Sequence, residues 1–263
     1  MKKVFVFVLL GMLFSSHELF IKSKSYFLDP GDTYELQLFN GTFAVSENSI
    51  TSDRITNAKI TGPDYSKAIS SEIFSQDETK TYFPFTASSE GTYVVGVSTL
   101  PREIELSAED FDDYLVHEGL LTTRQSRMMN GANKNPVRER YSKHVKTLLQ
   151  VGNSKTENFT AIMGYPIEFV PKDNPYNTAV GDQIRFQLLS YGKPLGEQIV
   201  QYGYMKYGNM AEERTAVTDE NGMVSIKADS SGDWYLATIH MEESEETELD
   251  YVSNWTTITF GMR

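Results

Sequence analysis

The chain has 263 residues, with 24 basic and 36 acidic side chains, a formal net charge of −12, no cysteine and 12% aromatic residues. Its hydrophobic content of 40% is sufficient for a packed core, which argues against a disordered chain. The excess of carboxylates excludes nucleic acid as a natural partner, because phosphates are repelled. The absence of cysteine excludes disulfides, thiolate metal sites and cysteine nucleophiles.

The first sixteen residues are predicted to be a signal peptide. Lys2 and Lys3 precede an apolar run, residues 4–14, which is too short to cross a hydrocarbon layer of about 30 Å. Cleavage is expected near Ser15 and Ser16. No second long apolar stretch follows, so we expect the mature protein to be periplasmic or secreted and not inserted in a membrane.

Residues 17–162 are predicted to form a β-sandwich with a helical excursion at about residues 103–146. Apolar and polar residues alternate in predicted strands at residues 19–22, 34–38, 55–60, 81–86 and 92–99. Ser107, with Asp110 three residues later, predicts the start of a helix. A second helix or an extended arm is predicted from Pro136 through Tyr141.

The excursion carries much of the positive charge of the protein. Two interpretations stay open: a solvated region that forms ion pairs with the acidic sandwich, or a site for an anion or a partner protein. The basic residues are Arg124, Arg127, Arg138, Arg140, Lys143 and Lys146.

Residues 163–263 are predicted to form a second sandwich, of the immunoglobulin-like or carboxypeptidase-regulatory-like type. The predicted strands lie at residues 166–170, 184–189, 198–207, 223–228 and 234–241, with Gly, Pro and Asp turns between them. The fold class is therefore mainly β, with two β-sandwich domains. The chain contains no Gly-rich phosphate loop, no G-x-S-x-G elbow and no H-E-x-x-H, so we expect a protein that is not an enzyme.

Two histidines are candidate metal ligands. If the signal is cut after Ser16, the α-amine and imidazole of His17 can chelate one ion. His240 ends a predicted strand and is followed by a loop with six carboxylates in nine residues, from which Glu242 and Asp250 are the candidate acids. Such nitrogen ligands suit nickel, cobalt or copper. His117 and His144 are expected to be exposed or in ion pairs.

The order of several short motifs resembles an exported bacterial family, a domain of unknown function grouped with the periplasmic component of nickel and cobalt uptake transporters. The matching stretches are His17-Glu18-Leu19-Phe20-Ile21 and residues 104–120, 138–146, 164–171, 174–182, 192–195, 218–219, 234–241 and 253–260. The resemblance implies an exported β-sandwich protein that handles transition metals. In the transporter relatives the free amino terminus and a nearby histidine take the metal, and His17 matches that role by position.

The sequence therefore favours a non-enzymatic protein that captures or delivers a divalent metal ion, with a membrane transporter component as its partner. The proposed ligands are His17, His240, Asp250 and Glu242. The alternative is an adhesion or accessory module for glycans or proteins, in which Tyr202, Tyr204 and Tyr207 would stack on sugar rings. A copper enzyme with a terminal histidine is a third hypothesis.

Overall fold

The computed structural model describes residues 17–63, 65–87 and 89–263, so the predicted signal peptide lies outside the described part of the chain. Eighteen strands and two helices are described there. The strands are β1 (Glu18–Ser23), β2 (Phe27–Leu28), β3 (Thr33–Gly41), β4 (Ile55–Gly62), β5 (Tyr65–Ala68), β6 (Ser75–Gln76), β7 (Lys80–Thr86), β8 (Gly91–Thr99), β9 (Arg102–Leu106), β10 (Val137–Val151), β11 (Ile167–Pro171), β12 (Gln183–Ser190), β13 (Lys193–Pro194), β14 (Ile199–Lys206), β15 (Asn209–Val217), β16 (Met223–Lys227), β17 (Gly232–Glu243) and β18 (Tyr251–Met262). The helices are α1 (Ala108–His117) and α2 (Leu121–Met129).

A ten-stranded sheet forms the centre of the molecule. Its main path is β15-β14-β17-β18-β10-β8-β4-β5, and β2 and β9 also pair with β10. The pair of β10 and β18 is parallel, with Lys143 opposite Trp255. β10 belongs to the first predicted unit and β18 to the second. The predicted boundary at residue 163 therefore lies between two strands that pair in one sheet.

The two smaller sheets contact opposite faces of the large sheet. On the front face, which carries Lys143, the hydroxyls of Thr257 and Thr259 donate to the carbonyls of Leu19 and Ile21 in β1, each at 2.6 Å. β1 belongs to the sheet β1-β3-β7-β6. On the rear face, Phe260 packs against Phe186 of the sheet formed by β11, β12, β13 and β16.

The hydrophobic core includes fully buried side chains from all three sheets. They are Leu36, Leu38, Phe83 and Phe85 from the sheet that contains β1, Leu148, Trp234, Leu236 and Ile258 from the large sheet, and Ile167, Phe169, Ile184 and Leu188 from the third sheet. Burying such side chains is the main favourable contribution to folding. The expectation of a mainly β protein built as a β-sandwich with a helical insertion is confirmed.

The helical excursion is shorter than the sequence predicts. The hydroxyl of Ser107 accepts a hydrogen bond from the amide of Asp110 and caps α1 as expected, and Gly119 ends the helix with a φ of 70°. From Val137 onward the chain is the strand β10, so the prediction of helix up to residue 146 is wrong and the extended alternative for Pro136 through Tyr141 is correct. No helix in the described ranges is long and apolar enough to span a membrane.

Candidate functional site

A pocket of about 510 Å³ lies on the front face of the large sheet, where β9, β10 and β18 run side by side. Residues at alternate positions of β10 form its floor together with Trp255, because side chains two apart on a strand share a face. Helix α1 and the segment after β3 form its walls. The lining residues are His17, Asn40, Glu47, Asn48, Ser49, Ile50, Thr51, Arg54, Arg102, Ile104, Leu106, Asp110, Tyr114, Glu139, Tyr141, Lys143 and Trp255.

Lys143 is a buried cation on this floor with neutral partners. Its Nζ donates to the carbonyl oxygen of His17 and, at 2.7 Å, to Oδ1 of Asn40. The ammonium also lies 5.9 Å from the ring centroid of Trp255. Burial lowers the pKa of Lys143 to about 7, because the charged form loses its hydration; the charge of Arg54 adds to the shift, and the carboxylates of Glu18 and Glu118 oppose it.

Glu139 is a buried acid on the same floor, four residues before Lys143 on β10. The hydroxyls of Tyr114, at 3.3 Å, and of Ser253 both donate to its Oε1. Burial raises the pKa of Glu139 to about 7, although these two donors oppose the shift. Burial thus lowers the pKa of a lysine and raises that of an acid on one floor, a combination that is typical of functional sites.

His17 lies at the rim of the pocket, and its neighbours select one tautomer of the ring. Its Nε2 is 2.8 Å from Oε2 of Glu47, and its Nδ1 is 3.3 Å from Nδ2 of Asn48. The Asn48 amide is oriented by a hydrogen bond from Asn40 Nδ2 to its Oδ1. An amide N–H toward Nδ1 and a carboxylate toward Nε2 assign the proton to Nε2, which leaves a lone pair on Nδ1.

His240 lies on the rear face of the large sheet. In the register of β17 and β18, His240 pairs with Asn254, whereas the neighbouring pair of Ile239 and Trp255 carries side chains on the pocket side. The Nδ1 of His240 is 3.3 Å from Oε1 of Gln198. The sheet therefore separates His240 from the pocket in which His17 lies.

The four predicted ligands fall into separate places. Glu242 lies near His240, with 3.6 Å between Oε1 and Nε2, so the structure brings these two together. Asp250 accepts a hydrogen bond from the backbone amide of Arg138 at 2.8 Å. Across the described ranges, no group of three or more His, Cys, Asp or Glu side chains is arranged to hold a metal ion.

The sequence predicts that the remaining two histidines are exposed or in ion pairs, which is confirmed for His117 and wrong for His144. His144 is buried between Ser98 and Asn254, at 2.9 and 3.1 Å, and burial lowers its pKa. His117 is exposed, and its hydrogen bond to Glu118 raises its pKa.

Among the tyrosines of the glycan hypothesis, Tyr204 stacks on Trp234 with 4.7 Å between centroids, and Tyr202 packs against the hydrophobic core. Tyr207 is 92% exposed. Only one of the three rings is therefore largely open to solvent.

The acidic loop after His240 is paired with basic residues of β10. Arg140 contacts Glu246 at 2.6 Å and Glu103 at 2.8 Å, and Arg138 contacts Glu248 at 3.5 Å. These contacts fit the interpretation in which the basic region forms ion pairs with acids of the sandwich. They also neutralise part of the negative charge that the sequence places beside His240.

The residues of the pocket floor were not among the predicted site residues. Glu139, Tyr141 and Lys143 alternate with exposed or rear-face residues, which is the signal of a strand that could have placed them on one face. Trp255 lies in a strand that the sequence analysis did not predict. Without both strands, nothing connected these side chains to His17.

Comparisons with known proteins concern the family and the fold. A family model described as "Domain of unknown function (DUF4198)" matches residues 14–242. A comparison with proteins of curated function found no match.

Among solved structures, the chain is similar to Escherichia coli alpha-2-macroglobulin activated by porcine elastase, at 10% identity and a TM-score of 0.23, over 94% of this chain and 20% of that chain. It is similar to Salmonella alpha-2-macroglobulin reacted with methylamine, at 9% identity and a TM-score of 0.24, over 92% and 15% of the two chains. It is also similar to the D0-D1 domain of intimin, at 12% identity and a TM-score of 0.21, over 92% and 97%. The chain thus spans a fifth or less of these macroglobulins, and likenesses this weak carry no argument about function.

Proposed function

Because the chain belongs to the family described as a domain of unknown function, we propose its function from its own residues. The protein is an exported, non-enzymatic carrier that captures a divalent transition metal, nickel, cobalt or copper, at His17. It then delivers the ion to a component of a membrane transporter. The periplasm or the cell exterior is the proposed location.

The observation that supports this proposal is the environment of the His17 ring. Glu47 contacts Nε2 at 2.8 Å, which is the arrangement in which a carboxylate orients a metal-binding histidine through its other nitrogen. The other nitrogen is Nδ1, which would exchange its hydrogen bond from Asn48 for the ion. With cleavage after Ser16, as the sequence predicts, the α-amine and Nδ1 of His17 would close a six-membered chelate ring on the ion.

The site has properties suited to capture and release. Its two nitrogen ligands come from one residue at the rim of an open pocket, so the ion would keep coordination positions for a receiving protein. A metal ion binds only unprotonated nitrogens, so competition from protons should lower the affinity as the pH is lowered. His240 is not required in this proposal, because it lies on the rear face.

The test is a metal titration of the exported protein after mass analysis of its amino terminus. We expect a terminus at His17 and saturable binding of nickel, cobalt or copper by isothermal titration calorimetry. His17→Ala should abolish this binding. Glu47→Gln keeps a hydrogen-bond acceptor and removes the charge, so it should weaken binding by about tenfold or more.

Two matched variants serve as controls. His117→Ala removes an exposed histidine outside the pocket, and His240→Ala removes the rear-face histidine; both should leave the affinity unchanged. An extra alanine inserted before His17 moves the α-amine away from the imidazole and removes the six-membered ring without changing any side chain, so the affinity should change. Equal affinity of wild type and His17→Ala, or a mature terminus at another residue, would overturn the proposal.

A further inference from the structure

The floor of the pocket contains two buried donors whose hydrogen-bonding capacity is not fully used. The indole Nε1 of Trp255 has no hydrogen-bond partner among the described residues, and this side chain is 8% exposed. Lys143, 6% exposed, has three N–H groups and two acceptors, His17 and Asn40. The two residues are paired across β10 and β18, so both belong to the same part of the floor. Buried donors of this kind favour a ligand that supplies acceptor oxygens.

Two guanidinium groups lie at the edge of the same pocket without a paired carboxylate. Arg54 donates to the carbonyl oxygen of Leu100 at 3.0 Å. The side chain of Arg102 has no hydrogen bond or ion pair with any residue that the structure describes. The Thr51 hydroxyl and, more weakly, both arginines lower the pKa of Asp53, an exposed acid outside the pocket. The guanidinium forks therefore remain available to an anion that enters the pocket.

The acids that line the pocket already have partners. Glu47 contacts His17, Asp110 accepts from the Ser107 hydroxyl at 2.6 Å, and Glu139 accepts from Tyr114 and Ser253. The charge that is free to meet a ligand is thus mainly positive. This balance favours an anion on the floor of the pocket, away from His17 at the rim.

The walls of the pocket are suited to the body of a small organic molecule. Ile50, Ile104 and Leu106 are apolar, and the ring of Tyr114 stacks on that of Trp255 with 6.0 Å between centroids. A volume of about 510 Å³ lies within the range of small-molecule sites and far above the roughly 30 Å³ of one water molecule.

We propose that this pocket binds a small organic carboxylate with an aromatic or alicyclic body. The carboxylate meets Lys143, Trp255 Nε1 and the guanidinium of Arg102 or Arg54, and the ring lies against the apolar wall. A monoanion fits this floor better than a phosphate dianion, because the second charge would have to be desolvated without a further buried cation. The site goes beyond the proposed metal function, since it uses other side chains and needs no metal.

The test measures binding of four probes to the full exported protein without added metal. Benzoate and cyclohexanecarboxylate carry the charge and a ring, benzamide is the neutral isostere, and acetate lacks the ring. Calorimetry should show saturable binding of the two ring carboxylates, with benzamide and acetate at least about tenfold weaker. The emission of Trp255 should change on binding, and Trp255→Phe should remove that change while Trp234 still reports the folded state.

Variants separate this pocket from other surfaces. Arg102 is exposed, so Arg102→Ala should fold normally and weaken benzoate binding by about tenfold or more. Arg138→Ala, an exposed arginine outside the pocket, is the matched control and should leave it unchanged. Equal binding of benzoate and benzamide would overturn the proposal. It would also be overturned if neither ring carboxylate bound, or if benzoate binding were unaffected by both Arg102→Ala and Trp255→Phe. Loss of metal binding in His17→Ala leaves these outcomes untouched, so the two proposals fail separately.

Discussion

Two lysines three residues apart on β10 have different environments. Lys146 faces the rear of the large sheet, and its Nζ lies 2.9 Å from Oε2 of Glu168, with both side chains essentially fully buried. Glu168 also accepts hydrogen bonds from the backbone amides of Met163, Gly164 and Tyr165. Lys143 faces the front, where its partners are a carbonyl and a side-chain amide. A strand with one lysine on each face thus contains a closed ion pair and an open cationic site.

The partners of a buried lysine determine whether it can bind a ligand. The pair of Lys146 and Glu168 joins β10 to β11, and both oxygens of the carboxylate are bonded, so the pair leaves nothing for a ligand. Lys143 has no adjoining carboxylate, and burial lowers its pKa to about 7. Its spare donor and the pocket that it lines are features of a binding site.

The largest expected effect tests the closed pair. Lys146→Met leaves the Glu168 carboxylate buried without its cation, which should lower the free energy of unfolding by about 3–5 kcal/mol. Urea denaturation followed by tryptophan fluorescence measures the loss. Because Lys143 meets only neutral acceptors, Lys143→Met should cost less than about 2 kcal/mol. Equal losses for the two variants would show that the distinction between the faces is wrong.

Glu139 is a second buried ionisable group on the front face of β10, and its contribution to stability should depend on pH. Its pKa rises from 4.5 in the unfolded chain to about 7 in the folded protein, so the folded state binds the proton more strongly between these values. The stabilisation that this proton supplies is complete below about pH 4.5 and is lost as the pH rises through about 7. Glu139→Gln imitates the protonated acid at every pH.

The Glu139→Gln variant and wild type should therefore have similar stability at low pH. Above pH 7 the variant should be more stable by about 1–3 kcal/mol, because it no longer holds a buried negative charge. Urea denaturation at a series of pH values gives both curves. A constant difference across the series would mean that the environment of Glu139 does not shift its pKa. Glu103→Gln, at an exposed position of β9, is the matched control.

Much of the fold could be predicted from the sequence because most strands bury one face. The predicted segments at residues 34–38, 55–60 and 184–189 correspond to β3, β4 and β12. β18 was missed because it is buried on both faces, and buried threonines at 256, 257 and 259 remove the alternation of apolar and polar residues. β15 was missed for the opposite reason, since most of its residues are exposed.

The site could be predicted only in part. His17 was singled out by its position after the signal, which is information that a sequence carries directly. Whether His17 and His240 lie on the same side depends on the face of the large sheet to which each is directed. A shift of one residue in the register of β17 would move His240 to the other face. Lys143 and Trp255 are 112 positions apart and become neighbours through a parallel strand pair, which no local pattern encodes.

The smallest expected effect concerns the exposed end of β10. Arg140 contacts Glu103 and Glu246 in a partly exposed network, where water screens the charges and the long side chains lose entropy on pairing. Arg140→Ala should therefore lower the free energy of unfolding far less than Lys146→Met, and the difference should shrink in about 1 M NaCl. Urea denaturation at low and high salt measures both. Arg140→Ala could instead lower the free energy of unfolding as much as Lys146→Met, at both salt concentrations. That result would mean that the position along β10, and not the burial of the ion pair, determines how much stability is lost when a charge is removed.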